Sequence, residues 1–143
     1  MVRYNSQYMQ TGHKPSNEKL IRYSLGSLLL LEAVNAFGGG YYGMSGAEAI
    51  PLTWLSDSVF KTYFIPGLIL FVCVGIPALI AGVAVLKHYR IAGKAAITSG
   101  VISMIWIVVQ LFIIGYVSWL QPFIVILAII ILILALLLRR YEY

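Results

Sequence analysis

Five side chains able to hydrogen-bond fall inside otherwise apolar stretches of this chain. Glu32 and Asn35 lie in LLLLEAVNAFGGG, and Ser103, Trp106 and Gln110 lie in SMIWIVVQ. A carboxyl in such a setting can hold and release a proton or neutralise a cation. The amides of Asn35 and Gln110 can donate and accept at once, so they can orient a ligand or a water. The Trp106 indole donates one hydrogen bond and offers a face to a cation. Asn35 follows Glu32 by three residues and Gln110 follows Trp106 by four, so each pair shares one side of a helix.

An acidic side chain at the centre of a bilayer costs about 2.5–3.5 kcal/mol on insertion scales. No Lys or Arg falls in the same stretches to neutralise Glu32. Three states follow: a protonated carboxyl bonded to Asn35, Gln110 or Trp106, a carboxyl facing water, or a carboxyl holding a cation. The first is a static polar knot that fixes helix register, and contacts of that kind contribute ~0.6–2 kcal/mol. The others are working sites, the default reading of an intramembrane acid.

Other chemistries lack their parts. Cys73 is the only cysteine, so there is no internal disulfide and no CxxC pair. His13 and His88 fall in segments on the same side of the chain's apolar spans, which gives no axial pair for a haem. No zinc motif, nucleophile–base constellation or pair of catalytic carboxylates is present, and no P-loop lysine follows Gly38–Gly40. Neither an enzyme nor a cofactor is expected.

The elements that must position these residues are membrane-spanning helices. The chain of 143 residues is 61% apolar and 10% charged, against about 25% charged in a soluble domain. Four stretches approach the ~20 residues that cross a ~30 Å hydrocarbon core: Leu20–Tyr42, Tyr63–Leu86, Ala95–Val117 and Pro122–Leu138. The predicted fold is all-α, a polytopic four-helix transmembrane domain over residues 20–138. A polar cytoplasmic tail (1–19) precedes it and a short cytoplasmic end (139–143) follows, with a longer outer loop between the first two helices.

Basic residues sort by side. Arg3, Lys14, Lys19 and Arg22 precede the first span, Lys87, Arg90 and Lys94 separate the second and third, Arg139 and Arg140 follow the fourth, and only Lys61 is basic among the outer residues. The positive-inside rule then puts both termini in the cytoplasm of a cell-membrane protein. The net charge of +5 reads as topology. No recognition motif accompanies it, so nucleic acid is not an expected partner.

Helical rise sets the depths. Glu32 lies ~15 Å beyond Arg22, level with Ser103 and Trp106 at ~14–18 Å from Lys94, and Gln110 lies ~24 Å deep. The five residues form one cluster if spans one and three touch, with Gln121 capping it from above. Small residues mark packing faces: Ala36 with Gly40, Gly75, Ala78 with Gly82, Ala96 with Gly100, and Ser99 with Ser103. Pro77 is expected to kink span two, Gly38–Gly40 to let the chain leave the first helix, and Arg139–Arg140 to stop the fourth. Span four, with no polar side chain from Phe123 to Leu138, is expected to be the most lipid-exposed helix or a face for a partner's helix. In the outer loop Pro51 starts a short helix, Leu52, Leu55 and Val59 form an apolar stripe, and Asp57 and Lys61 pair. Tyr41, Tyr42, Trp54, Tyr63, Tyr116 and Trp119 would form the outer aromatic belt.

LLLLEAVNA, with its lone glutamate in the first of four helices, is similar to the small multidrug-resistance transporters, where such a residue binds protons and cationic drugs in turn. The long outer loop and basic tail depart from that pattern. GYYGMSGA, PLTWLSDSVFKTYFIPG and WIVVQLFIIGYVSWLQP, between Gly40 and Pro122, resemble a group of small bacterial membrane proteins with no assigned activity. That resemblance implies a bacterial four-span protein and no mechanism.

Two functions fit these residues. One is a unit that binds or translocates a small ligand, cation or proton at Glu32, with Asn35 and Gln110 orienting it and Trp106 stacking on it. The other is a structural or accessory subunit that docks through span four and the outer loop. Beyond the lipid bilayer, the partners this leaves are a homo-oligomer or a larger membrane complex.

Overall fold

The computed structural model describes residues 14–142. Four helices dominate it: α1 (Lys14–Met44), α2 (Phe64–Leu86), α3 (Ala92–Ile114) and α4 (Leu120–Tyr141). Each is long and apolar enough to cross a membrane. No β-strand forms among the described residues. The helices make an up-and-down bundle in which α1 packs on α2 and α4, and α3 packs on the same two.

Several boundaries differ from the sequence expectation. Residues 14–19, assigned above to the polar tail, belong to α1; the rest of that tail, 1–13, lies outside the described residues. Helix α3 starts three residues early, at Ala92, and ends three residues early because Gly115 leaves helical geometry at φ 69°. Helix α4 begins at Leu120 and runs through Arg139 and Arg140 to Tyr141. Positive charge in a last turn favours the carbonyl end of the helix dipole, so those arginines support the helix rather than stop it.

The largest correction concerns Gly38–Gly40. These glycines do not release the chain; α1 continues to Met44. It ends where Gly46 turns to φ 107°. There the Gly46 N–H bonds the Gly43 carbonyl at 3.2 Å and the Ala47 N–H bonds the Tyr42 carbonyl at 3.1 Å, which is a Schellman cap. Glycine inside a helix costs ~0.5–1 kcal/mol, and here close helix contact offsets it. A Cβ on Gly40 would lie 2.7 Å from the Gly67 carbonyl oxygen, and one on Gly43 would lie 3.0 Å from the Gly67 Cα.

The same logic runs down the whole α1–α2 seam. Gly26 faces Leu86, Leu30 faces Gly82, Phe37 faces Gly75, and Gly40 faces Phe71 and Gly67. Each large side chain fills the space that a glycine on the other helix leaves. The Phe37 and Phe71 rings meet at 4.7 Å. Pro77 acts through a local widening: Leu70–Gly75 is wound as a π-helix, and Pro77 sits in the first turn of the α-helical stretch that follows. Pro77 has no N–H for the Cys73 carbonyl, and the turn before it opens accordingly.

Span four is not the most exposed helix. The buried share of its apolar window is 28%, against 22% for α3. Ala128, Ile131, Ala135 and Leu138 are fully buried, and the last three join Leu25, Leu29, Val85 and Ala96 in the main core. At that end Arg22 is itself buried. Its Nε donates to Glu18 Oε1 at 3.0 Å, an Nη donates to the Val85 carbonyl at 3.5 Å, and another lies 3.8 Å from Glu142. Glu142 in turn accepts from the Gly93 N–H at 3.3 Å. One arginine thus ties all four helices together.

In the outer loop Leu52–Leu55 is a single 3-10 turn. The expected stripe fails, since Leu55 is buried while Leu52 and Val59 are exposed; one short turn cannot carry three positions on one side. Asp57 and Lys61 form no ion pair among the described residues, because no helix holds them a turn apart. Ala47, Leu55 and Tyr63 instead build a small second core against Ile113 and Ile114. Tyr63 is therefore an internal anchor and not a belt residue. Its hydroxyl donates to the Pro51 carbonyl at 2.7 Å, and burial raises its phenol above the usual value.

Candidate functional site

Glu32, Asn35, Ser103, Trp106 and Gln110 all line one cavity of about 270 Å³. They meet without the seam that the sequence reading required. Helices α1 and α3 are diagonal in the bundle, each resting on α2 and α4. The five side chains therefore reach across a central void.

Glu32 is 5% exposed. Its carboxyl lies beside the Ser103 hydroxyl. That hydroxyl also donates to the Ser99 carbonyl at 3.0 Å, so its one proton is shared between two acceptors. The second carboxyl oxygen, Oε2, has no hydrogen-bond partner, and neither does the buried Ser99 Oγ. Among the described residues no hydrogen bond joins Glu32 to Asn35, Trp106 or Gln110. The static knot is thus not closed. Asn35 is exposed and Trp106 and Gln110 are half-buried, so the cluster has one sealed side and one open side.

Above this cavity lies a second, of about 450 Å³. Gly39, Leu70, Trp106, Gln110, Leu120 and Ile124 line both, so the two adjoin. Ala47, Ile50, Leu55 and Tyr63 of the outer loop roof the upper chamber. Gln121 also lines it, but its amide is committed. Oε1 accepts from the Val117 N–H at 2.9 Å, and Nε2 donates to the Gly115 carbonyl at 2.9 Å. The expected cap over the cluster is instead a clamp on the α3–α4 turn.

The opposite end is shut. Below Glu32 the main core fills the space between the helices, and the Arg22 network closes it further. Sequence reasoning missed that network. The spacing of Glu18 and Arg22 was a signal for one contact, but nothing local pointed to Glu142, which lies at the far end of the chain.

The arrangement can hold a small molecule or ion that donates to, or carries positive charge for, one buried carboxylate oxygen. It offers a single carboxyl, and no group of three His, Cys, Asp or Glu side chains gathers among the described residues. Comparisons of the chain with protein-family models, with curated proteins and with solved structures each find no match.

Proposed function

We propose that this protein binds a small molecule or cation at Glu32, in competition with a proton, inside a four-span membrane domain. The observation that carries this reading is a carboxyl, Glu32, that lines the deeper of two adjacent cavities and whose buried Oε2 has no hydrogen-bond partner. Leaving a buried polar atom without a partner costs about 1–3 kcal/mol. A bound donor removes that cost. Asn35 and Gln110 orient the occupant, and Trp106 packs against it. Exposure of the cavity to each side in turn would make the protein a translocator, and the arrangement described is the one shut at the end that bears both termini.

The domain sits in a bacterial cell membrane with both termini cytoplasmic. Support for the orientation is the clustering of basic residues at one end of an even number of helices. Support for the origin is the motif resemblance between Gly40 and Pro122.

The test is binding of tetraphenylphosphonium, an apolar cation, to protein in lipid nanodiscs. It is read by fluorescence of Trp106 in a background with Trp54→Phe and Trp119→Phe. The reading expects saturable quenching that is lost in Glu32→Gln and weakened by acid. Quenching that persists unchanged in Glu32→Gln would remove Glu32 from the function and favour an accessory subunit.

A further inference from the structure

Part of the way up the bundle, one line of exposed residues borders the two cavities. Asn35, Gly39 and Tyr42 follow one another on α1 at spacings of four and three, all are exposed, and all line a cavity. Opposite them on α4, Leu120 and Phe123 are 48% and 45% exposed and line the same space. A Cβ on Gly38 would meet nothing within 4 Å. Asn35 to Tyr42 covers ~10 Å of helix, and that stretch is the α1 edge of a slot facing α4.

Above and below the slot, buried residues close much of the wall, with Trp54 the exposed lining residue of the outer loop. Toward the chain termini, Leu25 and Leu29 pack with Ile131, Ala135 and Leu138. Toward the outer loop, Ala47, Leu55 and Gln121 are buried, and hydrogen bonds from Tyr63 to Pro51 and from Ala49 to Tyr42 hold the roof down.

We infer that Glu32 is reached sideways from the hydrocarbon, through this slot between α1 and α4, by a compact apolar molecule with one hydrogen-bond-donating end. The inference rests on the ligand-binding reading of the cavity and adds the route and the kind of occupant. Both edges of the slot belong to helices that span the membrane, so the opening faces lipid tails. The order of polarity fixes the occupant. The deep chamber is lined by the Glu32 carboxyl, while the upper one is walled by Ile50, Leu55, Ile113 and Ile124. A phospholipid of the nearer leaflet would set its methyl ends on the polar floor, which is the wrong way round. A ring or cage with a single amine or hydroxyl fits with its polar end down. The chambers of about 450 and 270 Å³ lie in the size range of small-molecule sites.

Phe123 is the side chain that narrows the slot. It lines the deep chamber, is nearly half exposed, and is held edge-on by Trp119 at 6.4 Å.

The experiment uses the full chain in nanodiscs with Trp106 as reporter, and a series of cyclohexylamine, cyclooctylamine and cyclododecylamine at equal aqueous concentration. Cyclooctanol and cyclooctane test the polar end. The slot predicts association rates that rise with the probe's partition into lipid. Phe123→Ala should raise the association and dissociation rates together, by about tenfold, and Phe123→Trp should lower both. Loss of an ordinary contact would raise dissociation alone. Amine and alcohol should bind and cyclooctane should not. Rates that ignore partition and do not move in either Phe123 variant, with binding intact, would overturn the slot and leave the cavity reading standing. Cyclooctane binding as tightly as the amine would overturn the donor requirement. Failure of every probe to bind would overturn the cavity reading and this inference together.

Discussion

Gly40 and Gly67 each occupy the space that a side chain on the other would need. A Cβ on Gly40 would lie 2.7 Å from the Gly67 carbonyl oxygen, and a Cβ on Gly67 would lie 2.7 Å from the Gly40 carbonyl oxygen. The obstructing atoms are backbone, so neither helix can yield locally. Gly67→Ala should therefore destabilise the bundle by about 1–3 kcal/mol. Gly38→Ala is the control, because open space surrounds that position, and it should be neutral or stabilise by up to ~1 kcal/mol. Unfolding of each variant in mild detergent checks both. Equal effects at the two sites would mean the seam is not glycine-limited.

Glu32 distinguishes a working site from a packing device. Its buried Oε2 has no partner, so the carboxyl is a burden on folding. Glu32→Leu should stabilise the protein by roughly 1–3 kcal/mol while abolishing ligand binding. A loss of stability in that variant would mean that the carboxyl holds the helices together after all.

Arg22 reaches Glu18, Glu142 and the Val85 carbonyl from a buried position. Truncating one member of a buried charge network commonly costs 3–5 kcal/mol. Here both acids keep some solvent contact, so Arg22→Ala should cost about 2 kcal/mol. It should also expose Gly93 and its neighbours at the start of α3. Hydrogen exchange at the first turn of α3 would show faster protons in the variant, whereas unchanged exchange would deny the network its closing role.

The outer loop has a pH limit. Burial raises the Tyr63 phenol above its ordinary value, so folding favours its neutral form. The sign follows: this contribution is present below the unfolded value of 10.0 and is lost as pH rises through the higher folded value. Wild type should lose loop order in strong alkali, read as faster proteolysis between Gly46 and Tyr63. Tyr63→Phe should be less stable near neutrality by about 1 kcal/mol, the worth of one hydrogen bond. It should also lack the part of the alkaline loss due to this phenol. Parallel alkaline curves for the two proteins would assign the loss to other groups.

Four apolar helices and the level of the five polar side chains follow from composition and spacing alone. Composition and length require a helix to satisfy its own backbone in lipid, and a fixed rise per residue sets Glu32 level with Ser103 and Trp106. Tertiary structure decided the rest. Local rules read Gly38–Gly40 as a helix end, since glycine alone weakens a helix, and only the facing Gly67 shows why α1 continues. The role of Arg22 depends on Glu142, and no sequence pattern links residues so far apart. Whether the polar residues close a knot or line a void depends on the distance between α1 and α3, which lie diagonally across the bundle. That separation is set by side-chain volumes on three helices at once: the α1–α2 glycine seam and the Leu25, Leu29 and Ile131 core fix one end, and the clamped turns at Tyr63 and Gln121 fix the other.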